Sequence, residues 1–358
     1  MNGRIGLGHE VASLRMRRAC AVAVAFLWLL STACSTNDSS APDTATTPSS
    51  PPGDVTMVAI NVLHGLFCPA ETDACQAPDR LDLLWNEIES AGCPDLVGLS
   101  EIGPRQGELV PAALPSLCDG RYELVWDPVA QGQEADREMI LSAVPVLEHA
   151  YVDLAAFPWG AHWAKVQTDI GIVDFATTHF ASSANNPPCT PEVCPPICEM
   201  GVEAGTCHAV QLVEFLQQRG TPGATWIVSG DLNRKITDSR LAPLLRAGYL
   251  DVWELGGNPE CDPTTGEGCT CCIGSETEDY DGGGLRDPSG ERSSRIDFVL
   301  VRVDDARCRA VVDPVDDADG DGTGTGPFAF AAAEPPVNGV LWPSDHSGVQ
   351  ADLSIECS

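Results

Sequence analysis

Acidic, amide and imidazole side chains recur in this sequence where short apolar runs end. Carboxylate and amide oxygens are the ligands that a hard divalent cation such as Mg²⁺ prefers, and imidazole exchanges protons near neutral pH. A cation, a positioned water and a proton source are what hydrolysis of a phosphate ester requires. Taken singly, each of these residues is better explained as a turn, a cap or a structural histidine, so only their combination points to chemistry. They are Asn61 in AINVLHG, Glu101 in GLSEIG, His179 in ATTHFA, Asp231 and Asn233 in SGDLN, Asp297 in SRIDF, and Asp345 and His346 in WPSDHSG.

The apolar runs that carry these side chains have the lengths expected of strands. Strands are predicted at 55–61, 95–101, 139–154, 162–168 and 170–180. RLDLLWNEIES is typical of a helix with one apolar face, and further helices are predicted at 207–220 and 239–249. Consecutive strands mixed with helices favour an α+β fold of two sheets packed face to face with helices outside, rather than a doubly wound parallel sheet.

In this order, the segments resemble the endonuclease/exonuclease/phosphatase superfamily over roughly residues 55 to 355. The matching motifs are N-x-x-H-G, the strand-end Glu, T-H-F, G-D-L-N, R-I-D-F and the terminal S-D-H. One departure is Ser100 before Glu101, where many members have Gln, but the acid itself is kept. The resemblance implies a deoxyribonuclease I-like four-layer α/β/β/α sandwich of two mixed β-sheets, and a metal-dependent hydrolase of phosphoric esters.

The resemblance also implies a metal centre and a phosphate contact. Glu101 would be the main ligand of Mg²⁺ (or Mn²⁺), with Asp345 and Asn61 nearby. Asn233 would hold a phosphate oxygen, and Asn61 would also face the substrate. His64 belongs to the same opening motif as Asn61 but receives no assigned role.

Proton transfer would be divided among five further residues. By the resemblance, Asp231 would orient or deprotonate the attacking water. His346, oriented by Asp297, would be one acid/base. His179 would donate a bond to the phosphate or protonate the leaving group, and Glu138 in DREMILS matches an acid that pairs with this first histidine.

The cations near these motifs have two interpretations. Arg234 and Lys235, with Arg292 and Arg295 ahead of Asp297, form either a rim that binds an anionic substrate or ordinary solvated surface. The whole chain has a formal net charge of -32. Such acidity argues against tight non-specific binding of nucleic acid, which depends on Lys and Arg. It does not argue against a nuclease that holds its substrate through metal ions and a few local cations.

The N-terminal residues predict export. Arg15, Arg17 and Arg18 precede an apolar run at 19–30 and the small residues up to Cys34, which is the pattern of a signal peptide at 1–34. Cys34 stands where a bacterial lipoprotein cysteine would stand, although Ser31 occupies the usual Leu position of a lipobox. The alternatives are a lipoprotein at the outer membrane, periplasm or cell surface, and a secreted protein. Residues 35–53 predict a disordered Pro/Ser/Thr-rich tether, which leaves 54–358 as one domain.

Cysteine usage agrees with export. Beyond Cys34 the chain has 14 cysteines, an even number that permits seven disulfides. The group Cys189, Cys194, Cys198 and Cys207 could instead bind zinc, but it lacks the paired C-x₂-C spacing. Two Cys- and Gly-rich inserts, at about 185–206 and 256–292, interrupt the predicted domain.

A second metal motif lies in DDADGDGTGTG. Asp317, Asp319 and Asp321, followed by Gly322, fit the D-x-D-x-D-G pattern of a calcium loop. The twelfth position of an EF-hand loop would be Glu, and here it is Phe328. The alternatives are a structural Ca²⁺ site and a merely acidic loop.

Three functions remain open from the sequence. The leading hypothesis is an exported, monomeric, Mg²⁺-dependent phosphodiesterase or nuclease. The second is a phospholipase C of the sphingomyelinase type, attached to the membrane through Cys34 and entering lipid through the apolar stretch at 155–163. The third is a non-catalytic binding module, against which the complete set of acids and histidines argues. Phosphomonoesters also lie within the range of the superfamily.

Overall fold

Two β-sheets form the centre of the part of the chain that the structure describes. The computed structural model describes residues 53–66, 68–127, 137–156, 158–182, 186–273, 283–313, 325–328 and 331–358. The predicted leader, Cys34, nearly all of the tether and the predicted calcium ligands Asp317, Asp319 and Asp321 lie outside the described residues.

Strands outnumber helices along these residues, and β3 to β7 follow one another without a described helix between them. In chain order the strands are β1 (Asp54–Asn61), β2 (Leu96–Ser100), β3 (Glu123–Val125), β4 (Met139–Ser142), β5 (Val146–Asp153), β6 (Gly160–Thr168), β7 (Gly171–His179), β8 (Thr225–Asp231), β9 (Leu250–Asp251), β10 (Asp297–Val303), β11 (Cys308–Val312), β12 (Gly326–Phe328) and β13 (Gly348–Cys357). The α-helices are α1 (Asp73–Ser90), α2 (Pro104–Ala113), α3 (Ala204–Arg219), α4 (Ala242–Arg246) and α5 (Val252–Leu255).

Each sheet is mixed, as the sequence predicts. The strand order of the first sheet is β11-β13-β1-β2-β4-β3, with β12 also paired to β13. The order of the second sheet is β5-β6-β7-β8-β10-β9. The pairs β1 with β2 and β7 with β8 are parallel, whereas the other named pairs are antiparallel.

The alternation along β1 shows how the layers pack. Its odd positions, Val55, Met57 and Ala59, lie in the core between the two sheets, where Phe175 and Val299 of the second sheet meet them. The even positions Val58 and Ile60 belong to a different cluster, which includes side chains of α1 and α2. Because successive side chains of a strand point to opposite faces, one apolar run serves two cores.

Helices cover the outer faces of both sheets. Leu81, Leu84 and Ile88 of α1 are buried against the first sheet, with Trp85 partly buried at the edge of the same cluster. On the other side, Leu212 and Leu216 of α3 pack with aromatic side chains of the second sheet. The predicted four-layer sandwich is therefore confirmed. Within the described ranges, no helix combines the length and apolarity needed to cross a membrane.

Two predicted elements differ from the structure in detail. The stretch 139–154 contains two strands that belong to different sheets, β4 and β5, so the chain crosses between layers there. The helix predicted at 239–249 is a 3₁₀ turn followed by the short α4. It ends before Gly248, whose φ of +93° does not continue a right-handed helix.

Disulfides pair all 14 cysteines that follow Cys34. They are Cys68–Cys75, Cys93–Cys118, Cys189–Cys194, Cys198–Cys207, Cys261–Cys269, Cys271–Cys272 and Cys308–Cys357. The four cysteines considered as a zinc site form two of these disulfides. Together they close the first insert into a compact cluster that contacts Ala155.

Gly98 of β2 sets how closely the two sheets approach each other. A β-carbon at this position would lie 2.7 Å from Ser229 Oγ and 2.9 Å from Thr177 Oγ1, both on the second sheet. These distances are too short for a carbon atom, so a side chain here would push the sheets apart. Glycine is thus required by packing at this point.

We expect Gly98→Ala to lower the free energy of unfolding by about 1–3 kcal/mol, because the added methyl overpacks the space between the sheets. Urea denaturation measures the change. The matched control is Gly107→Ala in α2, where a β-carbon would only touch the Trp126 ring at 3.4 Å and where alanine favours the helix. A Gly98→Ala protein as stable as Gly107→Ala would contradict the close packing.

Candidate active site

The strand directions bring the predicted residues to one edge of the sandwich. Asn61 ends β1, and Glu101 follows the end of the parallel strand β2. In the second sheet, His179 and Asp231 end two parallel strands in register with each other. Asp297 begins the antiparallel strand β10 directly opposite Asp231. Asp345 and His346 precede β13, which runs antiparallel to β1, so they reach the same edge.

Asn61 connects the two sheets. Its Nδ2 donates to Glu101 Oε1 at 2.9 Å and to Asp231 Oδ2 at 3.1 Å. Its Oδ1 accepts a bond from the Leu63 backbone N–H at 2.9 Å, which fixes the orientation of the amide. The amide nitrogen therefore faces the carboxylates, and this orientation favours a donor role for Asn61 over the predicted role as a metal ligand.

Asp231, Asn233 and His179 form a connected group. The backbone N–H of Asn233 donates to Asp231 Oδ1 at 2.7 Å, which is the turn expected of an Asp after a strand. The side-chain amide of Asn233 lies 2.8 Å from His179 Nε2 and donates to Phe180 O at 2.8 Å. Because the amide nitrogen donates, His179 Nε2 is the acceptor in this arrangement. Gly230 permits the approach of the strands, since a β-carbon there would lie 2.0 Å from Thr178 O.

His346 is held by Asp297. Its Nδ1 lies 2.9 Å from Asp297 Oδ2, so the carboxylate holds the proton on Nδ1 and leaves Nε2 for other contacts. That nitrogen is 3.8 Å from Asp231 Oδ2. Burial lowers the pKa of His346, but the negative charges of Asp297 and Asp231 outweigh it and raise that pKa to about 10. In this setting the imidazole is held in its charged, protonated form at neutral pH.

Two carboxylates of the edge have pKa values shifted in opposite directions. Burial raises the pKa of Glu101, but the nearby His64, His179 and His346 lower it to about 2. Burial and the charge of Asp297 raise the pKa of Asp231 to about 7. Glu101 stays ionised, whereas Asp231 titrates close to neutral pH, which suits an acceptor for a proton from water.

The donor atoms at this edge fit a hard divalent cation. Asp345 is buried, and its pKa is raised by burial and by the charge of Glu101, against the opposing effect of His346. Ligand atoms of Glu101, His179 and Asp231 also lie within 4.8 Å of one another. Carboxylates buried this closely are stabilised by a cation between them, so the residues present fit the predicted Mg²⁺.

Glu138 reaches the same edge from the first sheet. It precedes β4, which runs antiparallel to β2 and pairs Met139 with Leu99. Its side chain is fully buried, and its charge is one of the influences, after burial, that raise the pKa of Tyr151. Its pairing with His179 stays a prediction.

The cations predicted to form a rim differ in their surroundings. The Arg234 side chain is only 5% exposed; its Nη1 donates to Asn233 O, and its Nη2 lies 4.0 Å from Glu203 Oε2. Among the described residues, Arg234 Nε and Nη2 have no hydrogen-bond partner. Lys235 is exposed. An anionic group of a substrate would satisfy the buried guanidinium of Arg234.

Arg295 occupies a structural position instead. It is buried, and its guanidinium is bonded to Asp251 Oδ2 at 2.7 Å and to Glu260 Oε2 at 2.8 Å. It also stacks over the Phe298 ring at 4.7 Å. These contacts use the side chain within the protein, so they favour a structural role over the predicted contact with substrate. Arg292 is likewise buried and lies 4.8 Å from the Trp342 ring centroid.

Two residues that support the edge received no role from the sequence. His64 contacts Glu101 twice, through its backbone N–H at 3.2 Å and through Nε2 at 3.7 Å from Oε2. Arg80, fully buried, donates to the carbonyls of Val62, Leu63 and Pro343. It therefore joins the loop after Asn61 to the segment before His346. The N-x-x-H-G motif pointed to His64, but no local pattern marks Arg80.

A match to a family model identifies the family of this chain. Residues 58–346 match the model described as the Endonuclease/Exonuclease/phosphatase family. The chain belongs to this family. No curated protein matches the sequence closely enough to be counted, so the remaining comparisons are with solved structures.

Three solved structures illustrate the shared deoxyribonuclease I-like fold. An endonuclease/exonuclease/phosphatase family protein from Bacteroides thetaiotaomicron has a TM-score of 0.58 at 15% identity, covering 85% of this chain and 99% of that one. D. rerio TDP2 complexed with single strand DNA product has a TM-score of 0.56 at 16% identity, covering 84% and 98%. A mannosyl-6-phosphatase from Bacteroides thetaiotaomicron VPI-5482 has a TM-score of 0.54 at 15% identity, covering 84% and 99%.

His208 of α3 connects the segment after β5 to the segment that carries His179. Its Nε2 lies 2.6 Å from Ala155 O, and the Ala181 backbone N–H donates to its Nδ1 at 3.3 Å. Nδ1 is thus the unprotonated nitrogen of a neutral ring. Burial is the main cause that lowers the pKa of His208 to about 4.

We expect this histidine to make the protein lose stability in acid. Between its ordinary pKa of 6.5 and about 4, the unfolded chain binds a proton that the folded chain does not. Relative to His208→Gln, the free energy of unfolding should be lower by about 3 kcal/mol at the acid end of this pH range. Above this range the difference should vanish. Urea denaturation of both proteins across this pH range measures the difference, in which the other titrating groups cancel. Parallel pH curves would contradict the neutral buried ring.

Proposed function

We propose that this chain is an exported, Mg²⁺-dependent phosphoric ester hydrolase that acts chiefly on phosphodiesters. One observation carries the proposal: Asp231 Oδ2 is 3.6 Å from His179 Nε2, 3.8 Å from His346 Nε2 and 3.1 Å from Asn61 Nδ2. A carboxylate whose pKa is about 7 lies between two imidazoles and next to an ionised Glu101. This arrangement suits activation of one water and delivery of one proton.

Each residue of the edge has a part in the proposed reaction. Glu101 and Asp345 would hold Mg²⁺, which, when bound, offsets charge on the non-bridging phosphate oxygens. Asp231 would orient the attacking water and accept its proton. Asn233 would turn its amide from His179 to a phosphate oxygen. That exchange would free His179 Nε2 to carry a proton toward the phosphate or the leaving oxygen.

His346 and Asp297 would act as a second proton carrier. Asp297 fixes the ring and stabilises its charged form, so Nε2 exchanges protons on the side of Asp231. The attacking and leaving oxygens lie on opposite sides of the phosphorus in an in-line displacement. His179 at the end of β7 and His346 just before β13 can serve those two sides.

Substrate class is proposed from the neighbours and from Arg234. The D. rerio TDP2 structure is a complex with single strand DNA product, and the Bacteroides protein is named a mannosyl-6-phosphatase. Both names concern phosphate esters. The buried guanidinium of Arg234, next to Asn233, would suit a second anionic group on the substrate, which a diester chain provides.

The sphingomyelinase alternative loses its sequence argument. Entry into lipid was expected from the apolar stretch 155–163, yet four of its described residues, Ala155, Trp159, Ala161 and Trp163, are buried in the protein, and Phe157 lies outside the described residues. Export itself remains part of the proposal. The leader pattern and the seven disulfides support it, and attachment through Cys34 would follow from the same leader.

The experiment that tests the function offers several esters to the purified, oxidised protein with Mg²⁺, Ca²⁺ or EDTA. The substrates are plasmid DNA, RNA, sphingomyelin vesicles, an aryl phosphodiester and an aryl phosphomonoester. EDTA-sensitive hydrolysis of the diesters would support the proposal. Hydrolysis of sphingomyelin alone or of the monoester alone would replace it, and silence on all five would favour a binding module.

Glu101→Gln should abolish Mg²⁺-stimulated hydrolysis, because the variant keeps the shape of the side chain and removes its charge. The same change should remove the rise in melting temperature that Mg²⁺ gives the unmodified protein, since a ligand stabilises only the state that binds it. Melting with and without EDTA gives a readout independent of activity. Full activity in the variant would remove Glu101 from the metal site.

His346→Ala should lower kcat by about 10²- to 10⁴-fold, the usual contribution of a general acid or base. The Mg²⁺ concentration for half-maximal activity should change little, because the proposed role of His346 is proton transfer. Asp345→Asn serves as the contrast, since it should raise that concentration. Equal effects of both substitutions on metal requirement and turnover would contradict this division.

A further inference from the structure

A pair of adjacent cysteines lies against the reactive nitrogen of His346. Cys272 Sγ is 3.5 Å from His346 Nε2. The ligand atoms of Cys271, Cys272 and His346 all lie within 4.8 Å of one another. Cys271 is buried and Cys272 is partly exposed, so the pair can be reached from solvent on one side. The proposed reaction gives these sulfurs no part.

Backbone contacts keep the two segments together without help from the disulfide. The Ile273 N–H donates to Asp345 O at 2.8 Å, and the Ser347 N–H donates to Thr270 O at 2.7 Å. These bonds lie on both sides of His346. The cysteine segment is also bonded to Ser294, through the Cys271 N–H at 2.8 Å. Opening the disulfide would leave the sulfurs beside the imidazole.

The separation of sulfur and nitrogen suits a tetrahedral metal. Zinc lies about 2.3 Å from a thiolate and about 2.0 Å from an imidazole, so the two ligand atoms stand about 3.5 Å apart across the tetrahedral angle. Cys272 Sγ and His346 Nε2 already have that separation. The other ring nitrogen, Nδ1, lies 2.9 Å from Asp297. A metal-binding histidine usually donates its non-ligating N–H to a carboxylate in this way.

We propose that the reduced Cys271–Cys272 pair and His346 Nε2 bind one soft divalent cation of the Zn²⁺ type, and that this cation inhibits the enzyme. Inhibition rests on the proposed function, because it follows from removing His346 Nε2 from proton transfer; binding does not. The site is distinct from the Mg²⁺ site, since thiolates select soft cations and carboxylates select hard ones.

The chemistry needs one external reductant. A dithiol transfers two electrons and two protons to the disulfide, the S–S bond breaks, and the reductant becomes a disulfide. Two thiols result. On binding the cation, each thiol releases its proton to water and becomes a thiolate ligand, and the charged imidazole of His346 likewise releases the proton on Nε2. The third ligand is His346 Nε2, and a water occupies the fourth position.

Cobalt provides a direct test, because Co²⁺ bound by thiolate has a charge-transfer absorption that carboxylate sites lack. Brief reduction is first calibrated by alkylation and mass spectrometry, at a dose that opens Cys271–Cys272 while circular dichroism shows the fold intact. Titration of that protein with Co²⁺ should give the band with one equivalent. The oxidised protein and Cys271→Ser/Cys272→Ser should give none. The matched control, Cys308→Ser/Cys357→Ser, should keep the band after the same treatment.

Three results would overturn the proposal. The first is a band of equal size in Cys271→Ser/Cys272→Ser, and the second is no band in the reduced protein. The third is a pair that opens only when the protein unfolds. None of these depends on hydrolysis, so they are separable from failure of the proposed function. In the hydrolysis assay with excess Mg²⁺, Zn²⁺ should inhibit the reduced protein at a concentration about 10- to 100-fold lower than the oxidised protein; equal inhibition would overturn the inhibitory part of the proposal, whereas the cobalt titration decides the binding site.

Discussion

Four carboxylates lie at one edge of the sandwich, and their mutual repulsion is a constraint that the neighbouring residues must offset. Glu101, Asp231, Asp297 and Asp345 are each at most partly exposed, and desolvated like charges repel. The histidines relieve part of this repulsion, since they lower the pKa of Glu101, whereas the pKa of Asp231 and that of Asp345 are raised. The edge is therefore left with excess negative charge that a divalent cation can neutralise.

The rest of the fold holds this edge against its own repulsion. Apolar cores lie between the sheets and on both outer faces, so the strands that end at the acids cannot separate independently. Arg80 adds a buried cation that bonds the loops on either side of the site, and it also lowers the pKa of Asp345 after larger effects of burial and neighbouring charges. Glu101 itself has a φ of +58°, a backbone conformation that is unfavourable for residues other than glycine. Such a backbone persists only where its surroundings fix it.

Much of this edge was predictable, because strand ends are local features. Asn61, Glu101, His179, Asp231 and Asp297 follow or begin runs whose apolar alternation is visible in the sequence, and strand direction then brings them together. The residues whose roles the sequence did not predict depend on distant partners. For Arg295 the sequence left a substrate-binding rim or a solvated surface as alternatives, but the residue is buried against Asp251 and Glu260, which lie 44 and 35 residues away in sequence. Cys272 reaches His346 across 74 residues, from an insert without periodicity.

Charge distribution constrains how an anionic substrate can be held. Among the described cations near the edge, Arg295 is bound by two acids and Arg292 is buried against Trp342. Arg234 is buried, and its Nε and Nη2 have no hydrogen-bond partner within the part of the chain that the structure describes, whereas Lys235 is exposed. A long nucleic acid needs many phosphate contacts along its path, which a chain of net charge -32 does not offer. Recognition would therefore be concentrated on the reacting phosphate and one neighbouring anionic group, where the cation, Asn233 and Arg234 act within a desolvated site.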